Sequence, residues 1–266
     1  DGYCAMDDVL RKARRVHQLG LDLLVSLHFS DTIASSSQQR TPQEWQDHSM
    51  EMLAEDVRSH TASVLQALTE EGIEPRWIQI GNQLDNGLLW PAGYLTRYPT
   101  QYATLVSSAC RSARTICPKA QIIVAAGNPL HQPSLCAALD GLRTTDYDQI
   151  GLALYPTQSV GSSFQLLNTA ISYGIENEND AIAYTMQTID MLFNKYKKHC
   201  MIVECGVPVS QETAGSMHMR QLVKEARANT TCRGVIYHEP EAHEGWRGYT
   251  QGAFLSNGRP TQIIDA

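Results

Sequence analysis

Cys200-Met201-Ile202-Val203-Glu204-Cys205-Gly206-Val207-Pro208 is an apolar run that ends on a carboxylate and then turns away through Gly and Pro. A short continuous apolar run bounded this way reads as a strand buried on both faces. A helical pattern precedes it over residues 180–196, and another follows over residues 214–228. The local unit is helix, strand, helix, which is the grammar of a parallel sheet covered by helices.

The same grammar extends outward in both directions. Towards the N-terminus, strands are predicted at residues 21–27, 77–80, 122–126 and 150–154, and towards the C-terminus at 234–237. Helices are predicted at 6–19, 49–70 and 98–116. The first carries Val9, Leu10, Ala13, Val16 and Leu19 at helical spacing, with Gly20 as its stop. A loop rich in Ser and Gln fills residues 30–40, and its low-complexity part is confined to 34–39. With no linker in view, residues 1–266 read as one domain. Six βα strands fit either a doubly wound sheet or a closed barrel. No Gly-rich phosphate loop follows any strand, which weighs against the nucleotide-binding sheet. Polar or aromatic residues follow the strands closely, at His28, Asn82, Asn128, Tyr155, Glu204 and Glu239. A barrel gathers such ends on the face that carries chemistry.

Composition narrows the partners. A formal net charge of −7 disfavours nucleic acid and anionic membranes, which require basic patches. No apolar stretch reaches the length of a membrane span. The chain opens on Asp1 without an initiator Met, and reads as a processed or truncated piece. The seven cysteines form no CxxC pair and no zinc spacing, and read as small buried apolar residues, with a disulfide left open. The acidic run Glu176-Asn177-Glu178-Asn179-Asp180 reads as a solvated helix start rather than a calcium loop. No metal and no cofactor is expected.

Glu204 is the first candidate for chemistry. A carboxylate at the end of an apolar strand is costly to bury unless it has work or a partner. The local pattern fits a glycosidase nucleophile and a structural carboxylate paired with Arg equally well. The second candidate segment is Ile80-Gly81-Asn82-Gln83-Leu84-Asp85-Asn86-Gly87-Leu88-Leu89-Trp90-Pro91. It resembles the Gly-Asn-Glu stretch, with Asn-Gly and Trp-Pro after it, of the family 53 endo-β-1,4-galactanases. Four more segments resemble that family in order: Leu27-His28-Phe29-Ser30-Asp31-Thr32, Asp148 to Pro156, Ile202-Val203-Glu204 and Tyr237-His238-Glu239-Pro240.

The resemblance implies a (β/α)₈ barrel with its third to eighth strands in this chain, and about 60 residues of barrel upstream at about 30 per βα unit. It implies a β-1,4-galactan or arabinogalactan substrate and a secreted, cell-surface or periplasmic protein. Retaining hydrolysis takes two carboxyl groups, a nucleophile and an acid/base. Glu204 would be the nucleophile, and Gln83 stands in the acid/base position. Asn82 would bind the sugar 2-hydroxyl, and Tyr155 would hold the nucleophile. His28, Asp31, Asn86, Trp90, Asn128, His238, Glu239 and Trp246 would line the sugar sites. Some relatives hold calcium in a long loop near the last strands; no matching loop occurs here.

Departures from the family pattern are several. An amide cannot deliver a proton, and loss of acid/base help costs about 10²–10⁴ in rate. Ser26 replaces an Asp, Ile33-Ala34-Ser35-Ser36 replaces Trp-Ala-Asp-Pro, and His238 replaces the Trp on which the reacting sugar stacks. Several changes together favour natural drift over an engineered Glu-to-Gln variant. The readings left open are a weakly active or repurposed galactan hydrolase, a non-catalytic glycan-binding protein, and an unrelated α/β protein or truncated product. The ordered motifs stand against the last.

Overall fold

Strand β1 (Leu24–Leu27) and strand β2 (Trp77–Ile80) run parallel, with Leu24 opposite Trp77 and Leu27 opposite Ile80. They belong to a computed structural model that describes residues 4–156, 174–243 and 246–266. Contacts divide the chain into two units, Asp1–Gly127 with Cys136–Gln149, and Asn128–Leu135 with Ile150–Ala266.

In the first unit, β2 is followed by a short antiparallel hairpin of β3 (Gly87–Leu88) and β4 (Gly93–Tyr94). Strand β5 (Gln121–Gly127) then pairs with the other side of β2, in parallel, with Ile80 opposite Val124. The helices are α1 (Met6–Gln18), α2 (Met50–Glu70) and α3 (Pro99–Ile116). Helix α2 buries Leu53, Val57, Val64, Leu65 and Leu68, a stripe at helical spacing. Helix α3 buries Tyr102, Leu105, Val106, Ala109 and Ala113. Ser49 caps α2 by accepting the Met52 N–H at 3.3 Å, and Pro99 stands at the start of α3, where its missing N–H costs nothing. A further helix, α4 (Gln132–Asp140), follows β5.

The second unit carries β6 (Gln149–Leu154, in this unit from Ile150), β7 (His199–Cys205) and β8 (Cys232–Tyr237), in that order across its sheet. Strands β7 and β8 are parallel, with Cys200 opposite Cys232 and Cys205 opposite Tyr237. Helix α5 (Glu178–Tyr196) packs its Ala181, Ile182, Ile189 and Leu192 inward, and α6 (Glu212–Ala228) its Met219 and Leu222. The acidic run before α5 is a capping box. Asn177 Oδ1 accepts the Asp180 N–H at 3.1 Å, while Asp180 accepts the Asn177 N–H at 3.2 Å.

All six predicted strands exist within a few residues of their expected bounds. The first begins at Leu24 rather than at residue 21, and Leu21 is 60% exposed. Cys110, Cys117, Cys200, Cys205 and Cys232 are buried, Cys4 is exposed, and no disulfide joins any of the seven. Among the described residues no helix is long and apolar enough to cross a membrane, and no cluster of three His, Cys, Asp or Glu has the arrangement of a metal site.

Candidate active site

Parallel pairing puts the C-terminal ends of neighbouring strands on one edge of a sheet, and the predicted residues stand there in each unit. His28 follows β1, Asn82 and Gln83 follow β2, and Asn128 follows β5. Tyr155 follows β6, Glu204 lies one residue inside the end of β7, and His238 and Glu239 follow β8. The backbone is strained at three of these ends. Phe29, Gln83 and Glu239 have φ values of 56°, 48° and 44°, a region that side-chain-bearing residues seldom enter. Such strain costs about 1–3 kcal/mol each and gathers at functional sites.

In the first unit, the Ser-rich loop is seated on the end of β2. The Gln39 amide is 1% exposed and donates to the carbonyls of Ser35 at 3.1 Å and Asn82 at 2.7 Å. Asn82 Nδ2 donates to the Ala34 carbonyl at 3.0 Å, and Asn86 Nδ2 to the Ser36 carbonyl at 2.7 Å. Gln83 Oε1 accepts the Ser36 backbone N–H at 3.3 Å, which orients its amide, since only the oxygen accepts. Ser36 Oγ is 3.3 Å from the same oxygen but 2.6 Å from Asp85 Oδ1. A serine has one hydrogen to give, and the shorter contact takes it. Asp85 is 4% exposed, and burial raises its pKa to about 6 against the opposing pull of the Ser36 hydrogen bond.

Other predicted residues of this unit have contacts of their own. Trp90 Nε1 donates to the Asn86 carbonyl at 3.1 Å, and its ring meets Tyr94 edge-on at 5.1 Å. Asp31 is exposed and accepts the Gln43 N–H at 2.8 Å. His28 is half-buried, and the following Phe29 packs against His60. Ile33 is 76% exposed.

In the second unit, Tyr155 Oη donates to Glu204 Oε1 at 2.5 Å, and Glu204 is 9% exposed. A charge-assisted O–H···O⁻ bond of this length is short and strong, and it pins the carboxylate at the strand end. Tyr249 lies beside the Tyr155 hydroxyl. Burial first, then the Glu204 charge and Tyr249, push the Tyr155 phenol far above its usual range. Tyr155 is thereby held in its protonated, donating form. Tyr249 Oη donates to the His238 carbonyl at 3.0 Å, and the two rings meet edge-on at 5.8 Å. Asn128 Oδ1 accepts the Leu130 N–H at 2.9 Å, in a local turn. Trp246 opens a short 3₁₀ turn and is half-buried. Asp85, Ser36, Gln39 and Tyr249 were missed by the sequence reading. Asp85 and Ser36 lie in segments already noticed, but no spacing rule links position 36 to position 85.

The sequence profile of glycosyl hydrolase family 53 matches residues 1–257. The chain belongs to glycosyl hydrolase family 53. Among its family 53 relatives is a probable arabinogalactan endo-β-1,4-galactanase A of Neosartorya fischeri, 28% identical over 219 residues, which are 79% of this chain and 56% of that protein. The arabinogalactan endo-β-1,4-galactanase A of Aspergillus niger is also 28% identical, over 79% of this chain and 57% of its own length. The chain thus spans a little more than half the length of these relatives. Among solved structures, one from a study of two fungal β-1,4-galactanases matches with a TM-score of 0.78 at 20% identity, over 99% of this chain and 83% of that one. The family 53 catalytic domain of Ignisphaera aggregans matches with a TM-score of 0.78 at 19% identity, over 99% of this chain and 78% of that one. At such identities the likeness concerns the fold, and the parallel β/α sheets described above are consistent with a (β/α)₈ fold.

Proposed function

We propose that this family 53 chain carries a β-1,4-galactan-directed site of the retaining type, with Glu204 as nucleophile and Gln83 in the acid/base position. The observation that carries the reading is the buried Glu204 carboxylate held by Tyr155 Oη at 2.5 Å. Family membership and the galactanase names of the relatives support the substrate class. Glu204 would attack the anomeric carbon as the glycosidic C–O bond breaks, and the leaving oxygen would depart with the bonding pair. A sugar alkoxide needs a proton at that moment, and the Gln83 amide has none to give. A nitrophenolate needs none. Turnover on galactan is therefore impaired, while the first step on an activated aryl β-galactoside survives.

The test is release of nitrophenol from such a substrate, with and without azide, which attacks the glycosyl-enzyme without base help. Azide should raise the rate and yield a glycosyl azide, and Gln83→Glu should raise galactan hydrolysis by about 10²–10⁴. No phenol release and no gain from Gln83→Glu would remove the reading. A second reading, a glycan-binding protein without turnover, is favoured by the Gln83 oxygen being held by the Ser36 N–H. It predicts calorimetric binding of galactan oligosaccharides with no product under any of these conditions.

A further inference from the structure

Asp85 is a buried carboxyl that the proposed mechanism leaves unused. It is 4% exposed, lies two residues from Gln83, and forms no ion pair with a Lys, Arg or His among the described residues. The fold nevertheless makes room for it. A Cβ on Gly127, at the end of β5, would lie 2.9 Å from both Cγ and Oδ1 of Asp85, and Gly127 has a φ of +138°. A carboxylate buried without a cation costs stability, so its place against a cleared backbone at a strand end calls for a role.

The hydrogen-bond geometry supplies one. The Ser36 hydroxyl stands between the two side chains, 2.6 Å from Asp85 Oδ1 and 3.3 Å from Gln83 Oε1. We propose that Asp85 is a positioning residue which, through Ser36, sets the hydrogen bonding of the Gln83 amide according to its own protonation. With Asp85 ionised, the Ser36 hydrogen is committed to the carboxylate, and Gln83 Oε1 keeps the backbone N–H of Ser36. When Asp85 takes up a proton, its O–H donates to Ser36 Oγ, and the Ser36 hydrogen turns to Gln83 Oε1. One proton added at Asp85 thus reverses the Ser36–Asp85 bond and adds a donor to the Gln83 oxygen, tightening the amide in its orientation.

Asp85 is the titratable group of its own turn. Among the neighbours packed on it, the loop offers the Ser36 hydroxyl, β5 offers Gly127, and α3 offers Tyr102. Burial keeps the Tyr102 phenol protonated, so it does not titrate alongside Asp85.

The role depends on the proposed function for its ligand, but the coupling does not. The experiment is therefore two-armed. In the first arm, the side-chain amide of Gln83 is followed by NMR from pH 4.5 to 8 and assigned by its loss in Gln83→Glu. Its resonance should move with the midpoint of the Asp85 carboxyl, near 6. Asp85→Asn should abolish the movement. Ser36→Ala should abolish it at Gln83 while Asp85 still titrates, and Ser36→Thr should keep it. A Gln83 amide that stays still in the wild type, or that still titrates in Asp85→Asn, overturns the proposal. In the second arm, the affinity for a β-1,4-galactan oligosaccharide should change about two- to tenfold across the same midpoint, the worth of one hydrogen bond, and should be flat in Asp85→Asn. If the amide titrates and no oligosaccharide binds, the galactan reading falls and the positioning role stands. If the oligosaccharide binds with pH-independent affinity and the amide is still, the reverse holds.

Discussion

Gln83 is an amide where the family resemblance leads one to expect a glutamate, and its neighbours hold it in place. The amide oxygen takes the Ser36 N–H, and the buried carboxyl sits at Asp85. Asp85 has a stability consequence whose sign can be worked out. Its folded-state pKa is raised, to about 6. Between the ordinary carboxylate value and that point, the unfolded chain has lost a proton that the folded chain keeps. Stability therefore falls as pH rises through this window, and the loss is complete above it. Asp85→Asn removes the charge and keeps a hydrogen bond to Ser36. It should stabilise the protein by about 1–3 kcal/mol at pH 7.5 and by nearly nothing at pH 4. Urea unfolding at the two pH values checks this; an equal loss at both would show that the carboxyl is structural in its ionised form. Glu204 was legible because a carboxylate at the end of an apolar strand stands out in one dimension. Asp85 was not, because its meaning comes from a serine 49 residues away.

At the scale of elements, the six strands were legible because each is a short apolar run whose neighbours are polar or glycine-rich. The apolar run that includes Leu21 overreached, since Leu21 is solvent-exposed before the strand rather than in it. Helix α4 and the β3–β4 hairpin were not foreseen. Neither is long enough to show a period, and the hairpin is only two residues on each side. The loop at 34–39 read as low complexity because its order comes from side-chain amides bonding to backbone across 43 to 50 residues, which leaves no local pattern. The hairpin has a sharp steric requirement. A Cβ on Gly87 would stand 2.1 Å from the Gly93 carbonyl oxygen, and Gly87 has a φ of +112°. Gly87→Ala should therefore open the hairpin and lower stability by about 2–4 kcal/mol, from strain and clash together. It should also disturb Trp90, whose indole donates to the Asn86 carbonyl within the same turn. Thermal unfolding and tryptophan fluorescence measure both effects; an unchanged Tm would mean that the turn tolerates the methyl by moving as a body.

For the whole molecule, the cysteines report on both units at once. Cys110 and Cys117 lie in the first, and Cys200, Cys205 and Cys232 in the second, all buried. Burial pushes the Cys110 thiol up to about 12 and raises those of Cys200 and Cys205 further. Thiolate is the reactive form, so these groups are shielded twice, by lack of access and by lack of ionisation. Cys4 is exposed and should react with a disulfide reagent at pH 8 within seconds, with the half-buried Cys136 following more slowly. The five buried thiols should react only as their unit unfolds, so their rate in rising denaturant measures the opening of each unit separately. Selective loss of Cys110 and Cys117 protection before that of Cys200, Cys205 and Cys232 would show that the units unfold independently. Simultaneous loss would show that they unfold as one cooperative body. Rapid reaction of all five in the native protein would contradict the burial itself. The measurement needs no substrate, so it tests the fold whichever way the question of catalysis is answered.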